Sequence, residues 1–96
     1  MTGGWVYMMS DRYRGGIYTG VTATLAQRVT DHREGKGSKF VAKYGFNRLV
    51  YMEWHDRIEE AIAREKAIKK WRRAWKIELI ETMNRDWDDL YENLNT

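Results

Sequence analysis

The amino-acid sequence predicts an α+β fold in which a small three-stranded antiparallel sheet is flanked by helices, in the order ββααβαα. Three short runs rich in aromatic and β-branched residues are typical of strands, and the stretches that follow them carry helix-start signals. The chain has 96 residues, of which 43% are hydrophobic and 14% aromatic, and this is enough to fill one small core. We therefore expect a single domain over residues 1–96.

The three strands are predicted at residues 5–9, 16–22 and 48–55. The first two runs, WVYMM and GIYTGVT, are joined by the polar stretch SDRYRGG, which ends in two glycines and is typical of a turn. Together they predict an antiparallel hairpin. The third run, RLVYMEWH, alternates well enough to form another strand of the sheet.

Local start and stop signals predict the helices. Thr24 and Gln27 have the spacing of a capping box, and Gly35 is placed to end the first helix. Asp56 and Glu59 form a second capping-box pattern, which opens a helix through DRIEEAIAREKAIKKW. The remaining predicted helices are a short segment at residues 38–45 and the stretch RRAWKIELIETM at residues 72–83.

The charge is distributed unevenly along the chain. Residues 1–76 hold 16 Lys and Arg against 8 Asp and Glu, a net +8, whereas residues 77–96 hold 1 against 6, a net −5. A body this basic suits a polyanion such as nucleic acid, because bound phosphates release their counterions. The alternative is a basic surface that is merely solvated.

Several classes of protein are excluded by what the sequence lacks. It has no cysteine, which excludes a disulfide framework, thiolate metal sites and cysteine nucleophiles. It carries neither a secretion signal nor a long apolar run, so we expect a cytoplasmic protein without a membrane partner. The phosphate-binding loop, dinucleotide turn, nucleophile elbow and zinc-protease helix patterns are also missing.

One carboxylate on the third predicted helix is out of place. An apolar stripe runs along that helix and consists of Ile58, Ala61, Ile62 and Ile68. Glu65 falls inside this stripe and is therefore predicted to face the core. An unpaired buried carboxylate is costly, so Glu65 needs an arginine, a hydrogen-bond network or a metal ion as its partner. A structural salt bridge with Arg28 or a lysine is the alternative to a metal-binding or catalytic role.

Arg28 and His32 are one turn apart on the first predicted helix, and are neighbours on one face. A nearby guanidinium disfavours protonation of the imidazole, which makes neutral His32 a candidate proton acceptor. Simple surface decoration is the alternative for this pair. His55, at the end of the third predicted strand, is interpreted as structural.

The segment KKWRRAWK, residues 69–76, carries five basic residues together with Trp71 and Trp75. Its cations are candidates for phosphate contacts, and an exposed indole would also allow a base or sugar to pack on it. For the two tryptophans we favour the alternative, in which both lie in the core beside Leu79. The candidate nucleic-acid contacts are Lys39, Lys43, Lys69, Lys70, Arg72 and Arg73.

Taken together, these patterns resemble the GIY-YIG nuclease family over nearly the whole chain. WVY, ending in Tyr7, takes the place of the GIY signature, and YTG, from Tyr18 to Gly20, takes the place of YIG. Within the family the sequence is most similar to small stand-alone bacterial proteins related to the N-terminal nuclease module of the excinuclease C subunit. Val21 stands where that subgroup has a lysine, which favours His32 as the proton acceptor.

The resemblance extends to four further positions, and it implies metal-assisted hydrolysis of phosphodiester bonds in DNA. Glu65 corresponds to the carboxylate that holds Mg²⁺ or Mn²⁺, and Arg28 to the arginine that binds the scissile phosphate. Tyr7 and Tyr18 would orient the attacking water and help to deprotonate it, with His32 assisting. The supporting positions are Gly20 and Asn84.

The implied enzyme is a structure-directed or weakly sequence-specific endonuclease of DNA repair or processing, acting as a monomer or a homodimer. The alternatives are a non-catalytic nucleic-acid-binding module or a protein-interaction module that retains the fold.

Overall fold

The computed structural model describes residues 3–36 and 43–95. Three strands form one antiparallel sheet in the order β2-β1-β3, namely β1 (Gly4–Ser10), β2 (Tyr18–Thr22) and β3 (Arg48–His55). The predicted fold class is confirmed, and the third strand has the bounds that the alternation predicted. The second strand begins at Tyr18, two residues later than expected.

Three helices and a short 3-10 helix surround the sheet in the described residues. They are α1 (Leu25–Arg33), α2 (Ile58–Lys69), α3 (Arg73–Met83) and the 3-10 helix Leu90–Asn95. Residues 38–42 of the helix predicted at 38–45 lie outside the described residues. Across the described ranges, no helix has the length and apolar character needed to span a membrane.

The first helix begins and ends where the sequence predicted, but its capping box is wrong. Thr24 is the N-cap residue, yet its side chain makes no capping hydrogen bond. Gln27 instead donates through Nε2 to Asp31 Oδ1 at 3.0 Å, one turn further along the helix. Gly35 ends the helix as expected, with a φ of 76° and its N–H donating to the carbonyl of His32.

The second capping box is also wrong, because its acid has a different partner. Arg57, not Asp56, is the N-cap residue of α2. Asp56 accepts a hydrogen bond from Trp54 Nε1 at 2.9 Å, which keeps the carboxylate away from the backbone of the helix. Glu59 pairs with Arg57 at 3.5 Å. Both side chains of the predicted box therefore act outside it.

The sheet separates two hydrophobic clusters. Tyr7 and Met9 of β1 pack against α1 and the 3-10 helix, whereas Val6 and Met8 pack against α2 and α3. A bulge between Met8 and Met9 shifts the pairing with β3, leaving Val50 as the extra residue. We call these two sides the α1 face and the α2 face of the sheet.

Candidate active site

Tyr7 is the buried centre of the candidate site. It lies in the middle strand, opposite Gly20 on β2 and Met52 on β3, and its side chain is fully buried on the α1 face. A Cβ at Gly20 would lie 2.6 Å from Tyr7 Cζ and from its hydroxyl oxygen. Gly20 therefore gives the Tyr7 ring room to lie across the neighbouring strand, which is a physical reason for the glycine in YTG.

Helix α1 turns His32 toward this tyrosine. Leu25, Val29 and His32 are its buried residues, and their spacing follows one face of a helix. The two apolar side chains hold that face on the sheet, so the imidazole is brought to the Tyr7 hydroxyl. The distance between Tyr7 Oη and His32 Nε2 is 3.0 Å.

Three rings meet at this point. The Tyr7 and Tyr18 ring centroids lie 6.3 Å apart, the Tyr7 and His32 centroids 5.9 Å, and the Tyr18 and His32 centroids 5.7 Å. The structure thus brings both signature tyrosines and the predicted histidine into one cluster. We call it the Tyr7–His32 cluster, made of Tyr7, Tyr18, Arg28 and His32.

Burial and Arg28 set the charge state of this cluster. Burial raises the pKa of Tyr7 to about 12, and the Arg28 guanidinium opposes this rise through a hydrogen bond and its charge. Burial also lowers the pKa of His32, and the charge of Arg28 lowers it further. The imidazole is therefore neutral at neutral pH, as the Arg28 and His32 spacing predicted.

The neutral imidazole is oriented as an acceptor in one of its two tautomers. His32 Nδ1 is buried and has no hydrogen-bond partner among the described residues. In the tautomer that carries its proton on Nδ1, Nε2 presents a lone pair to the Tyr7 hydroxyl. This arrangement can take a proton from the phenol and return it.

Glu65 is buried, as the apolar stripe predicted, with 8% of its surface exposed. Its carboxylate pairs with Lys69 Nζ at 2.6 Å, so its partner is a lysine and not Arg28. Helix α2 packs on the α2 face, which places Glu65 in the other layer from the Tyr7–His32 cluster. Ile62, also assigned to the stripe, is 38% exposed. That position is the part of the stripe prediction that is wrong.

The donor set of Glu65 fits Mg²⁺ or Mn²⁺ as a single protein ligand. Mg²⁺ commonly keeps several waters and uses one or two carboxylates together with substrate phosphates. In residues 3–36 and 43–95 no group of three or more His, Cys, Asp or Glu side chains could hold a metal ion, so a cage built by those residues alone is excluded. A cation bound at Glu65 would take the place of the Lys69 ammonium group.

The predicted phosphate contacts fall into different environments. Lys69 is the ion-pair partner of Glu65, and Lys70 is exposed. Arg73 Nη2 donates to the carbonyls of Arg14 at 2.6 Å and Gly15 at 2.7 Å, and thereby ties the loop between β1 and β2 to α3.

The other two predicted phosphate-binding residues that the structure describes lie over aromatic rings. Lys43 Nζ is 5.4 Å from the Tyr44 ring centroid, and Arg72 Cζ is 4.8 Å from that of Trp75. Lys39 lies outside the described residues.

The expectation that both tryptophans of KKWRRAWK lie in the core is wrong. Trp71 is partly buried against the core cluster on the α2 face. Trp75 is 50% exposed. Helix α2 ends at Lys69 and α3 begins at Arg73, so Trp71 lies in the turn between them and Trp75 in the first turn of α3.

Asn84 supports the fold and not the ring cluster. It is buried, and its Nδ2 donates to the carbonyls of Val50 at 3.0 Å and Asp88 at 2.8 Å. Its Oδ1 accepts from the backbone N–H of Asp88 at 3.0 Å. The side chain thus fixes the turn that follows α3 against the sheet.

A second group of titratable side chains on the α2 face was not predicted. Glu53 accepts hydrogen bonds from Tyr51 Oη at 2.6 Å and from Arg64 Nε at 3.1 Å, and its carboxylate lies 2.5 Å from His55 Nε2. Tyr51, Glu53 and His55 alternate along β3, so the period of a strand was the signal that places them on one face. We call Tyr51, Glu53, His55 and Arg64 the Glu53 cluster. His55, interpreted from the sequence as structural, lies beside the Glu53 carboxylate in this cluster.

Comparison with known proteins identifies the family. Residues 3–78 match the GIY-YIG catalytic domain. A UPF0213 protein of Clostridium perfringens is 34% identical over 79 residues, which cover 82% of this chain and 85% of that protein. A UPF0213 protein of Syntrophus aciditrophicus is 34% identical over 84 residues, which cover 84% and 93% of the two chains.

A solved structure is similar as well. The solution NMR structure of a UPF0213 protein from Bacillus halodurans shares 31% identity with this chain, with a TM-score of 0.53 and coverage of 84% of this chain and 85% of that one. The sheet with its flanking helices, the paired tyrosines and the domain match agree. The chain belongs to the GIY-YIG nuclease superfamily, among the small stand-alone bacterial proteins of the UPF0213 group.

Proposed function

We propose that this protein is a metal-dependent endonuclease that hydrolyses phosphodiester bonds in DNA, using Mg²⁺ or Mn²⁺. The observation that carries the proposal is the hydrogen bond between the buried Tyr7 hydroxyl and neutral His32, beside the Arg28 guanidinium. A phenol alone is a poor base near neutral pH, because its ordinary pKa is about 10. Neutral His32 can take the proton of the phenol, and the positive charge of Arg28 stabilises the negative charge that develops on the phenol oxygen.

Four residues of the chain have different roles in the proposed reaction. Tyr7 accepts a proton from the attacking water as its own hydroxyl proton moves to His32 Nε2. Arg28 stabilises the phenolate character that develops on Tyr7 and offers a planar fork to the scissile phosphate. Tyr18, whose ring lies against both Tyr7 and His32, helps to orient the water.

Glu65 is the residue that would hold the metal ion. A divalent cation held by this carboxylate would supply neutralisation of the growing charge on the phosphate and help for the departing alkoxide. Lys69 balances the buried Glu65 carboxylate through their ion pair. Helix α2 also contacts β2, the edge strand that carries Tyr18.

The basic body of the chain supports a DNA substrate. The net +8 over residues 1–76 supplies the long-range attraction that any phosphodiester substrate requires. The cleavage that we propose is structure-directed or weakly sequence-specific. We assign it to DNA repair or processing in the cytoplasm, as a monomer or a homodimer.

The Glu65–Lys69 ion pair supports a second candidate function. A carboxylate already neutralised by a lysine needs no metal ion, and this suits a non-catalytic nucleic-acid-binding module that retains the fold. The two candidates differ in one measurable property, which is cleavage.

Cleavage of plasmid and branched DNA, with Mg²⁺ or Mn²⁺ and with EDTA, tests the proposal. We expect the wild type to cut only with metal, and Glu65→Ala to lose at least about 100-fold in rate, because one transition-state contact of this kind contributes about 10²–10³-fold. Glu60→Ala is the matched control, since Glu60 is an exposed carboxylate on the same helix. Wild type that binds DNA but cuts nothing would establish the binding module instead.

A further inference from the structure

The exposed Trp75 lies in a cleft that the proposed reaction does not use. The cleft has a volume of about 370 Å³ and is lined by Trp71, Trp75, Glu78, Leu79 and Thr82. This volume is within the range of pockets that hold small aromatic ligands. The residues that line the cleft begin at Trp71, two positions after Lys69 in the sequence. Lys69 is the ion-pair partner of Glu65, the proposed metal ligand.

The two indoles differ in packing and exposure. Trp71 packs against the core cluster of the α2 face, and the Arg64 guanidinium lies 5.1 Å from its ring centroid. Its plane is nearly perpendicular to that of Trp75, at 82° with centroids 6.2 Å apart. Trp71 is therefore a fixed wall, and Trp75 offers a half-exposed aromatic surface beside it.

The charge around Trp75 selects the kind of occupant. The Arg72 guanidinium lies over the Trp75 ring, 4.8 Å from its centroid, and the segment 69–76 carries five basic residues. An indole with a cation over its ring suits a nucleotide, since a base can stack on the indole and its phosphate can pair with the cation. Glu78, the acid lining the cleft, is an acceptor for the exocyclic amino group of a base such as cytosine.

A second copy of the chain is a poorer occupant. Most homodimers are symmetric, so a dimer through this cleft would bring two KKWRRAWK segments face to face. Like charges at an interface oppose association. The basic border that repels a second copy attracts a polyanion.

We propose that the cleft between Trp71 and Trp75 binds an unpaired nucleobase of a nucleic-acid strand, stacked on Trp75, with Arg72 at the adjoining phosphate. This inference rests on the proposed function, because it assigns the form of the substrate strand: the bound region includes unpaired bases. It predicts that single-stranded or branched DNA binds more tightly than a fully paired duplex.

The chain supplies a matched control for this test. Trp54 is 49% exposed, against 50% for Trp75, and it also packs against a second indole, that of Trp5, with centroids 5.2 Å apart. Its indole nitrogen, however, donates to the Asp56 carboxylate at 2.9 Å. The two sites match in exposure and in aromatic content, but a guanidinium lies over the ring of Trp75 whereas a carboxylate holds the indole nitrogen of Trp54.

The experiment measures binding of a labelled oligodeoxycytidylate in EDTA, so that no cleavage interferes. We expect Trp75→Ala to weaken binding roughly 5- to 150-fold, the loss of about one stacked base, and Trp75→Phe to weaken it less. Trp54→Ala should bind as the wild type does. An abasic strand of the same length should bind wild type and Trp75→Ala equally, because it has nothing to stack.

Several results would overturn the inference. They are equal binding by Trp75→Ala and wild type, an equal loss on the abasic strand, or an equal loss in Trp54→Ala. A wild-type dimer that Trp75→Ala converts to monomer in sedimentation would make the cleft an interface between copies. The test is separate from the proposed catalysis: Trp75-dependent binding without cleavage would refute the endonuclease alone, and cleavage with Trp75-independent binding would refute this inference alone.

Discussion

Tyr7 and Tyr51 lie on opposite faces of the same sheet, and each is buried and hydrogen-bonded through its hydroxyl to a titratable side chain. Tyr7 is 3.0 Å from His32 Nε2 on the α1 face, and Tyr51 donates to Glu53 Oε1 at 2.6 Å on the α2 face. Burial raises the pKa of both phenols above its usual value. The two environments differ in the charge that each hydroxyl meets.

The carboxylate of Glu53 keeps the proton on Tyr51. Its hydrogen bond and its charge raise the pKa of Tyr51 further, beyond the effect of burial. Around Tyr7 the guanidinium of Arg28 acts in the opposite direction, and the acceptor is an imidazole that is neutral. Arg64 opposes the rise at Tyr51 as Arg28 does at Tyr7, so an arginine lies near both phenols. The two tyrosines therefore differ in their hydrogen-bond partner, which is a carboxylate for Tyr51 and a neutral imidazole for Tyr7.

Replacing each tyrosine by phenylalanine should separate the roles of the two hydroxyl groups by the largest effect. We expect Tyr7→Phe to lower the rate of DNA cleavage about 10²–10⁴-fold, because the variant keeps the ring and loses the proton-transfer group. Tyr51→Phe should cleave within a few-fold of wild type and lose stability only, by about 1 kcal/mol for one hydrogen bond. Single-turnover cleavage and urea unfolding measure the two effects.

Folding is checked in both variants by near-UV circular dichroism, since each keeps a phenyl ring in place of the phenol. Equal cleavage by Tyr7→Phe and wild type would remove Tyr7 from the mechanism. A large loss of cleavage in a folded Tyr51→Phe variant would show that the Glu53 cluster takes part in the reaction.

The acid side of the pH profile should belong to His32. Burial and Arg28 lower the pKa of His32 from 6.5, so the imidazole is half protonated only at a pH below 6.5. We expect the acid limb of the cleavage rate to have its midpoint below pH 6.5 and to fall about tenfold for each pH unit beyond that midpoint, as a single protonation blocks the acceptor. His32→Gln should be slower and should lose this dependence. A profile that falls already above pH 6.5 would contradict the assignment.

Most of the architecture could be predicted from local patterns. The runs WVYMM and RLVYMEWH carry enough β-branched and aromatic residues to predict strands, and Gly35 ends α1 through its left-handed φ of 76°. The capping boxes failed because other side chains nearby in the sequence competed for the same polar groups. Gln27 bonds to Asp31, and Asp56 accepts from the indole of Trp54.

The candidate site was predictable only in part. Helical spacing showed that Glu65 is buried, and an unpaired buried acid needs a partner, but Lys69 was one of several possible cations. The exposure of Trp75 depends on the break between α2 and α3, which no proline or glycine marks. The Glu53 cluster requires α2 to pack back on β3 so that Arg64 reaches Glu53, and local patterns along the chain do not determine that packing.

The smallest expected effect concerns stability in acid, where the two clusters should act in different pH windows. Burial tends to raise the pKa of Glu53, but hydrogen bonds from Tyr51, His55 and Arg64 outweigh it and lower the pKa below 4.5. The folded state therefore favours the ionised carboxylate. Its contribution to the free energy of unfolding is present above pH 4.5 and is lost as the pH falls through the lowered folded value.

Glu53→Gln should lower the free energy of unfolding by about 1–2 kcal/mol at pH 7, since the variant keeps the shape and loses the charged acceptor. The difference from wild type should shrink at pH 3, as Glu53 becomes protonated in both states.

His32 acts in another pH window. Because its pKa is lowered from 6.5, the unfolded state takes up the proton first and stability falls as the pH drops below 6.5. His32→Gln should flatten that higher step and leave the step below pH 4.5 in place. Urea unfolding of the three proteins across pH 3–8 measures both steps, and a Glu53→Gln difference that is the same at pH 3 and pH 7 would show that the Glu53 charge does not stabilise the α2 face.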